Sequence, residues 1–115
     1  DFFYLHYKKT DSAGEDGNFM KKVAAIEEFD AKIAQIKNLR FDALCLTGDH
    51  STPSVLKGHS WHPVPLVIVS PTVLPDQVDI FTERACAKGM LGTIRASSIM
   101  FWLLACCLKL EKFGA

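Results

Sequence analysis

At 115 residues, with thirteen basic and thirteen acidic side chains, the chain holds at most one domain with a modest core. It lacks the charge excess that would point to nucleic acid or an anionic membrane surface. Its 49% hydrophobic and 23% charged residues are an ordinary globular balance, and its longest apolar run, the ten residues Ile99 to Leu108, is too short to span a bilayer.

The four cysteines, Cys45, Cys86, Cys106 and Cys107, form no C-x-x-C pair and no disulfide framework. Three lie in apolar runs, as buried free thiols do, which favours a reducing cytoplasm. No signal peptide is expected, since Asp1 leads straight into apolar residues without a basic region or cleavage site. A chain that begins without Met, inside what reads as a core strand, is expected to be a piece of something longer.

Residues 2–8 (F-F-Y-L-H-Y-K) are aromatic and apolar without alternation until Tyr7, which predicts a strand buried on both faces. Residues 9–18 bring two glycines and three acids and predict a loop, with Asn18 placed to cap a helix after it. From Phe19 to about Asn38 the apolar Phe19, Val23, Ile26, Phe29, Ile33 and Ile36 recur at spacings of three and four. This is an amphipathic helix of about five turns. Ala43 to Leu46 predicts a second buried strand, so the three elements make a βαβ unit with a parallel strand pair.

Residues 51–63 have no helical period and loop back. Val64 to Ser70 predicts a further strand, and with no crossover helix before it, it should run antiparallel to the strand before. A two-proline loop covers 71–78. A short helix is predicted within Phe81 to Lys88, and Ser97 or Ser98 can cap a last, apolar helix from about Ile99 to Glu111.

Parallel strands point the same way, so the loop carrying Asp11 and Glu15 and the turn carrying Asp49 and His50 should share the carboxyl edge where open α/β sheets bind ligands. His59 returns to that edge nine residues after His50. Singly, Asp11 and Asp49 also read as turn caps and the histidines as surface residues. Together, carboxylates and imidazoles form mixed N/O sites for Mn²⁺ or Zn²⁺, and more ligands than one closed site needs suggests two ions. His6 reads as a hydrogen-bonded core residue and His62 as structural. No Walker loop, dinucleotide-binding glycine pattern or nucleophile elbow is present.

T-D-S-A-G-E-D-G, T-G-D-H-S-T-P and H-S-W-H-P-V-P, in this order and spacing, closely resemble the C-terminal part of cofactor-independent phosphoglycerate mutases of the archaeal-type branch. E-R-A-C-A-K-G-M-L-G and the ending K-F-G-A resemble the same branch, so the likeness covers essentially the whole chain. It implies the α/β sandwich of the alkaline-phosphatase superfamily, with residues 1–115 as the C-terminal part of the metal-binding domain. The part with the nucleophile, and the lid domain, would lie outside this chain.

The activity implied is interconversion of 3-phosphoglycerate and 2-phosphoglycerate through a phosphoserine, assisted by two divalent ions: Mn²⁺ foremost, with Zn²⁺ and Mg²⁺ as alternatives. By resemblance Asp49 and His50 ligate the ion that activates the serine. Asp11, Glu15 and His59 ligate the second, and Lys8 neutralises the phosphate. Two positions depart from the pattern. Glu15 stands where many relatives carry His, though a carboxylate still ligates, and Phe101 stands where relatives often have Pro.

The serine itself has no counterpart in this chain, so the chain alone is expected to be inactive. The ligands by themselves leave open another phosphoryl-transfer enzyme of the superfamily, such as a phosphatase or phosphopentomutase. They also leave open a truncated, non-catalytic module. No nucleic-acid or membrane partner is expected, and the compartment implied is the cytoplasm.

Overall fold

The computed structural model describes residues 1–111, 113 and 114; Lys112 and Ala115 of the K-F-G-A ending lie outside them. The element order is α1 (Lys9–Glu15), α2 (Phe19–Lys37), β1 (Leu44–Thr47), β2 (Leu66–Val69), α3 (Glu83–Cys86), a 3₁₀ turn (Ala96–Ser98) and α4 (Ile99–Cys106). The chain divides into two units, Asp1–Arg40 with His50–His62, and Phe41–Asp49 with Pro63–Ala115.

The first unit is built on α1 and α2, which pack on each other. Of residues 9–18, where glycines and acids predict a loop, 9–15 are therefore helical and only 16–18 form a turn. Gly14 and Ala13 are buried inside α1, where small residues admit close neighbours.

The helix then ends by a local device. Gly17 adopts φ 69°, its N–H donates to Gly14 O at 2.9 Å, and the Asn18 N–H donates to Ala13 O at 3.0 Å. That pair of bonds is a Schellman closure, and glycine takes the left-handed position without a Cβ penalty. Asn18 at once starts the next helix, its side chain accepting from the Lys21 N–H at 2.9 Å, as its position before the periodic run predicts. An Asn18→Ala variant should lose about 1 kcal/mol of stability, measured by denaturant unfolding.

α2 runs as its apolar spacing predicts, to Lys37 with Asn38 as C-cap. Its Phe29 ring stacks on Tyr7 at 5.0 Å, and its Glu28 carboxylate accepts two hydrogen bonds from Lys9 Nζ, at 2.7 and 2.8 Å. These contacts anchor the chain entering α1.

Residues 2–8 form no strand. A strand needs a hydrogen-bonding neighbour, and among the described residues β1 and β2 pair only with each other. Phe2, Phe3, Tyr4 and Leu5 are exposed, and His6, predicted inside a core strand, is exposed beside the Tyr4 ring. The βαβ unit and its parallel pair are thus not formed by these residues, although the α/β class holds.

In the second unit β1 and β2 are antiparallel, with Leu44 opposite Val69 and Thr47 opposite Leu66. This is the direction expected of two strands joined without a crossover helix. Ser70 Oγ donates to Asp42 O at 2.7 Å, and Thr72 Oγ1 donates to Cys106 O at 2.8 Å, tying the end of α4 to the loop after β2.

α3 lies within the span predicted for it and is capped by Thr82 Oγ1, which accepts from the Ala85 N–H at 3.2 Å. α4 starts at Ile99 as expected but without a serine side-chain cap, and it stops at Cys106, short of Glu111. Leu108 turns to φ 56°, and the Leu108 and Lys109 N–H groups close back on Ala105 O and Leu104 O. That closure ends the helix.

The Asp76 carboxylate organises the two-proline loop, accepting from the Val78 N–H at 2.9 Å and the Met90 N–H at 3.0 Å. These bonds, the one from Met90 foremost, hold its carboxyl below the usual aspartate range. A depressed carboxyl contributes stability that is present above its unfolded pKa and lost as pH falls through the folded one. The thermal midpoint of Asp76→Ala should therefore lie below that of the wild type at neutral pH. The two should converge in acid, below the ordinary aspartate range.

Among the described residues, Ala13 and Ala25 are the buried apolar side chains, and no large side chain is fully buried. No helix among them is long and apolar enough to cross a membrane.

Candidate metal centre

The centre lies in the first unit, where α1 meets the returning loop after His50. Asp11 and Glu15 are four residues apart on α1 and so occupy one face of it, one turn above the other. Sequence reading places both at the site but in a loop; it is the helix that aims them the same way.

The two imidazoles are brought together by pairing of the loop upon itself. Ser51 and Ser60 form an isolated antiparallel bridge, with the Ser60 N–H donating to Ser51 O at 2.8 Å. Between them Pro53 starts a turn that accepts from the Leu56 and Lys57 N–H groups at 2.9 and 3.1 Å. The spacing of His50 and His59 is thus that of a closed loop, and their rings lie 3.9 Å apart.

His59 Nε2 lies 3.5 Å from Asp11 Oδ1 and 3.5 Å from Glu15 Oε1. One donor atom each from Asp11, His50 and His59 falls within 4.8 Å of the others. Donor atoms about 2.1 Å from one ion stand about 3.4 Å from each other in a tetrahedron, so the separations from His59 to Asp11 and to Glu15 are each of the size found between two ligands of one cation. Among the described residues, the three whose donor atoms all come within mutual reach are Asp11, His50 and His59. Harder carboxylate oxygens mixed with imidazole nitrogen suit Mn²⁺ or Zn²⁺ alike.

Asp11 is half-buried and Glu15 is exposed. The hydroxyl of Thr52 donates to Asp11 Oδ1 at 2.7 Å. That bond first, and then the nearby His50, His59 and Lys8, keeps the Asp11 carboxyl below the usual range against the opposing effect of burial. It is a carboxylate at neutral pH, the form a cation requires. Lys8 Nζ stands 3.9 Å from Asp11 Oδ2 on a largely exposed side chain.

Of the five predicted ligands, the structure gathers Asp11, Glu15, His50 and His59. Asp49, which directly precedes His50, belongs to the second unit. His62, predicted to be structural, is exposed; its Nδ1 bonds Ser60 Oγ at 2.8 Å and its ring stacks on Trp61.

Two residues central to the geometry, Thr52 and Gly14, lie inside the family-like stretches T-G-D-H-S-T-P and T-D-S-A-G-E-D-G, but their own side-chain chemistry does not mark them as part of a metal site. Thr52 is 4% exposed. It bonds Asp11, pairs with His50 Nδ1 at 3.1 Å, and its carbonyl accepts from Lys22 Nζ. Gly14 admits Thr52, because a Cβ there would lie 2.3 Å from Thr52 O. Thr52 falls in the stretch 51–63 that is expected only to loop back, and the fold reveals its three partners.

Over its full length the chain is 59% identical to a probable 2,3-bisphosphoglycerate-independent phosphoglycerate mutase of Aquifex aeolicus. It is 58% identical to one of Thermotoga maritima and 53% identical to one of Thermus thermophilus. It spans 28% to 29% of the length of these relatives. A solved protein structure from Pyrococcus horikoshii matches with a TM-score of 0.90 and 38% identity, over 96% of this chain and 34% of that one. That fold and this site agree with the sequence profile of the Metalloenzyme superfamily, which matches residues 1–105. On these grounds the chain belongs to the Metalloenzyme superfamily.

Proposed function

We propose that this chain supplies most of the metal-binding part of a phosphoryl-transfer site that interconverts 3-phosphoglycerate and 2-phosphoglycerate. The observation that carries the reading is His59 Nε2 standing 3.5 Å from both Asp11 Oδ1 and Glu15 Oε1, with the His50 ring against it. Asp11, Glu15 and His59 would hold one divalent ion and Asp49 with His50 the other, Mn²⁺ before Zn²⁺ or Mg²⁺. Bound there, the ions would neutralise charge on the transferring phosphoryl group and lower the pKa of a nucleophile.

The chain's own residues hold and orient. The carboxylates of Asp11 and Glu15 share one helix face, the paired loop fixes the imidazoles, and Lys8 adds a positive charge beside Asp11 towards the phosphate. The nucleophilic serine and the lid would come from parts of the protein outside these residues, so the 115-residue chain by itself would not turn over substrate. The substrate assignment rests on similarity to proteins named as mutases of this kind. The setting this implies is a glycolytic enzyme of the cytoplasm.

The test is an assay of the full-length natural protein on 3-phosphoglycerate without added bisphosphoglycerate. Formation of 2-phosphoglycerate, abolished by a chelator and restored by Mn²⁺, is the expected result. Release of glycerate and inorganic phosphate instead would transfer the site to a phosphatase. Turnover by residues 1–115 alone would refute the need for an outside nucleophile.

A further inference from the structure

Thr52 stands between Asp11 and His50, residues assigned to different ions. A hydroxyl has a single hydrogen and two lone pairs. The Asp11 carboxylate only accepts, so the hydrogen of Thr52 goes to Asp11 Oδ1, 2.7 Å away. What Thr52 Oγ1 turns to His50 Nδ1, 3.1 Å away, is a lone pair, and Nδ1 must therefore carry the hydrogen. In a neutral imidazole with Nδ1 protonated, the electron pair that a metal takes is on Nε2.

The position of Thr52 is itself over-determined. Lys22 Nζ holds its carbonyl from α2, and Gly14 lets α1 come so close that an added Cβ would stand 2.9 Å from Thr52 Cγ2. A side chain 4% exposed and held from two helices is preorganised for the relay.

We propose that Thr52 is a positioning residue of the metal centre. By donating to Asp11 and accepting from His50, it selects the His50 tautomer whose ligand electron pair is on Nε2, and it couples the two residues. The inference rests on the proposed metal centre and adds to it a proton position and a residue outside the ligand set.

The test uses the full-length natural protein, labelled with ¹⁵N-histidine and free of metal. The His50 ring is assigned by its loss in His50→Gln. The wild type should show Nδ1 protonated and Nε2 unprotonated. Thr52→Val should shift His50 towards the other tautomer and weaken Mn²⁺ binding, measured by calorimetry, roughly 10–100-fold. Thr52→Ser keeps the hydroxyl and should restore both.

A wild-type His50 protonated on Nε2 overturns the proposal without any Thr52 variant, so the test survives if Thr52→Val fails to fold. A folded Thr52→Val with unchanged tautomer and affinity overturns it as well. If His50→Gln binds Mn²⁺ as tightly as the wild type, it is the metal reading that falls. Loss of binding in His50→Gln with none in Thr52→Val sinks only the role of Thr52.

Discussion

Asp11→Ala in the full-length protein is expected to bind Mn²⁺ at least about a hundredfold more weakly, more than the loss of a supporting residue costs. Turnover should fall roughly a thousandfold, since an ion at such a site supplies several kcal/mol of charge stabilisation. Asp11 touches three residues at the site. Its Oδ1 is 3.5 Å from His59 Nε2 and accepts from Thr52 at 2.7 Å, and its Oδ2 faces Lys8.

Removing that carboxylate takes away a proposed ligand and leaves the Thr52 hydroxyl without its acceptor. Glu15 cannot replace it, being exposed and one turn further along α1. Asp11→Asn separates the contributions, because the amide oxygen can still accept from Thr52 while the negative charge is gone. It should retain stability yet still lose most of the metal affinity. Calorimetric titration beside a chelator-dependent activity assay checks both; wild-type affinity in Asp11→Ala would place the ion elsewhere.

Gly14→Ala is expected to destabilise the protein by about 1–3 kcal/mol and to weaken metal binding with it. Two effects oppose each other. Alanine is the better helix former, by about 1 kcal/mol over glycine, and this alone would stabilise α1. The new Cβ, however, would lie 2.3 Å from Thr52 O and 2.9 Å from Thr52 Cγ2, and the nearer atom is backbone that cannot rotate aside. Overpacking of this kind costs typically about 1–3 kcal/mol and occasionally more, so the clash wins.

The movement that relieves it lifts Thr52 off α1 and so away from Asp11. Denaturant unfolding and Mn²⁺ titration of the same variant should therefore move together. A Gly14→Ala protein more stable than the wild type would show that the loop does not sit against α1.

How much of this was legible depends on how local each cause is. The apolar repeat of α2 and the Asn18 cap are written within a few residues, and both appear as predicted. The antiparallel pairing of β1 and β2 accords with the lack of a crossover helix between them. The acids and imidazoles were named from their residue types together with an expected parallel-strand edge, which the described residues do not form, and the T-G-D-H-S-T-P stretch carried the family likeness.

The misreadings have non-local causes. Residues 2–8 have the composition of a buried strand, but a strand requires a neighbouring edge, which composition does not provide. Residues 9–15 fall within the 9–18 stretch whose two glycines and three acids predict a loop. They are helical because Ala13 and Gly14 are small enough to be buried where α1 packs on α2 and Thr52.

By itself, then, the sequence determined the long helix, its cap, the sense of the strand pair and the chemical kinds of the candidate ligands. Each of these depends on backbone periodicity or side-chain chemistry within a short span. Only the tertiary structure decided that Asp11 and Glu15 share a helix face, that a paired loop sets His50 beside His59, and that a buried threonine joins two of them. Those are distances between residues up to 48 positions apart, as from Asp11 to His59, and packing, not local preference, sets them.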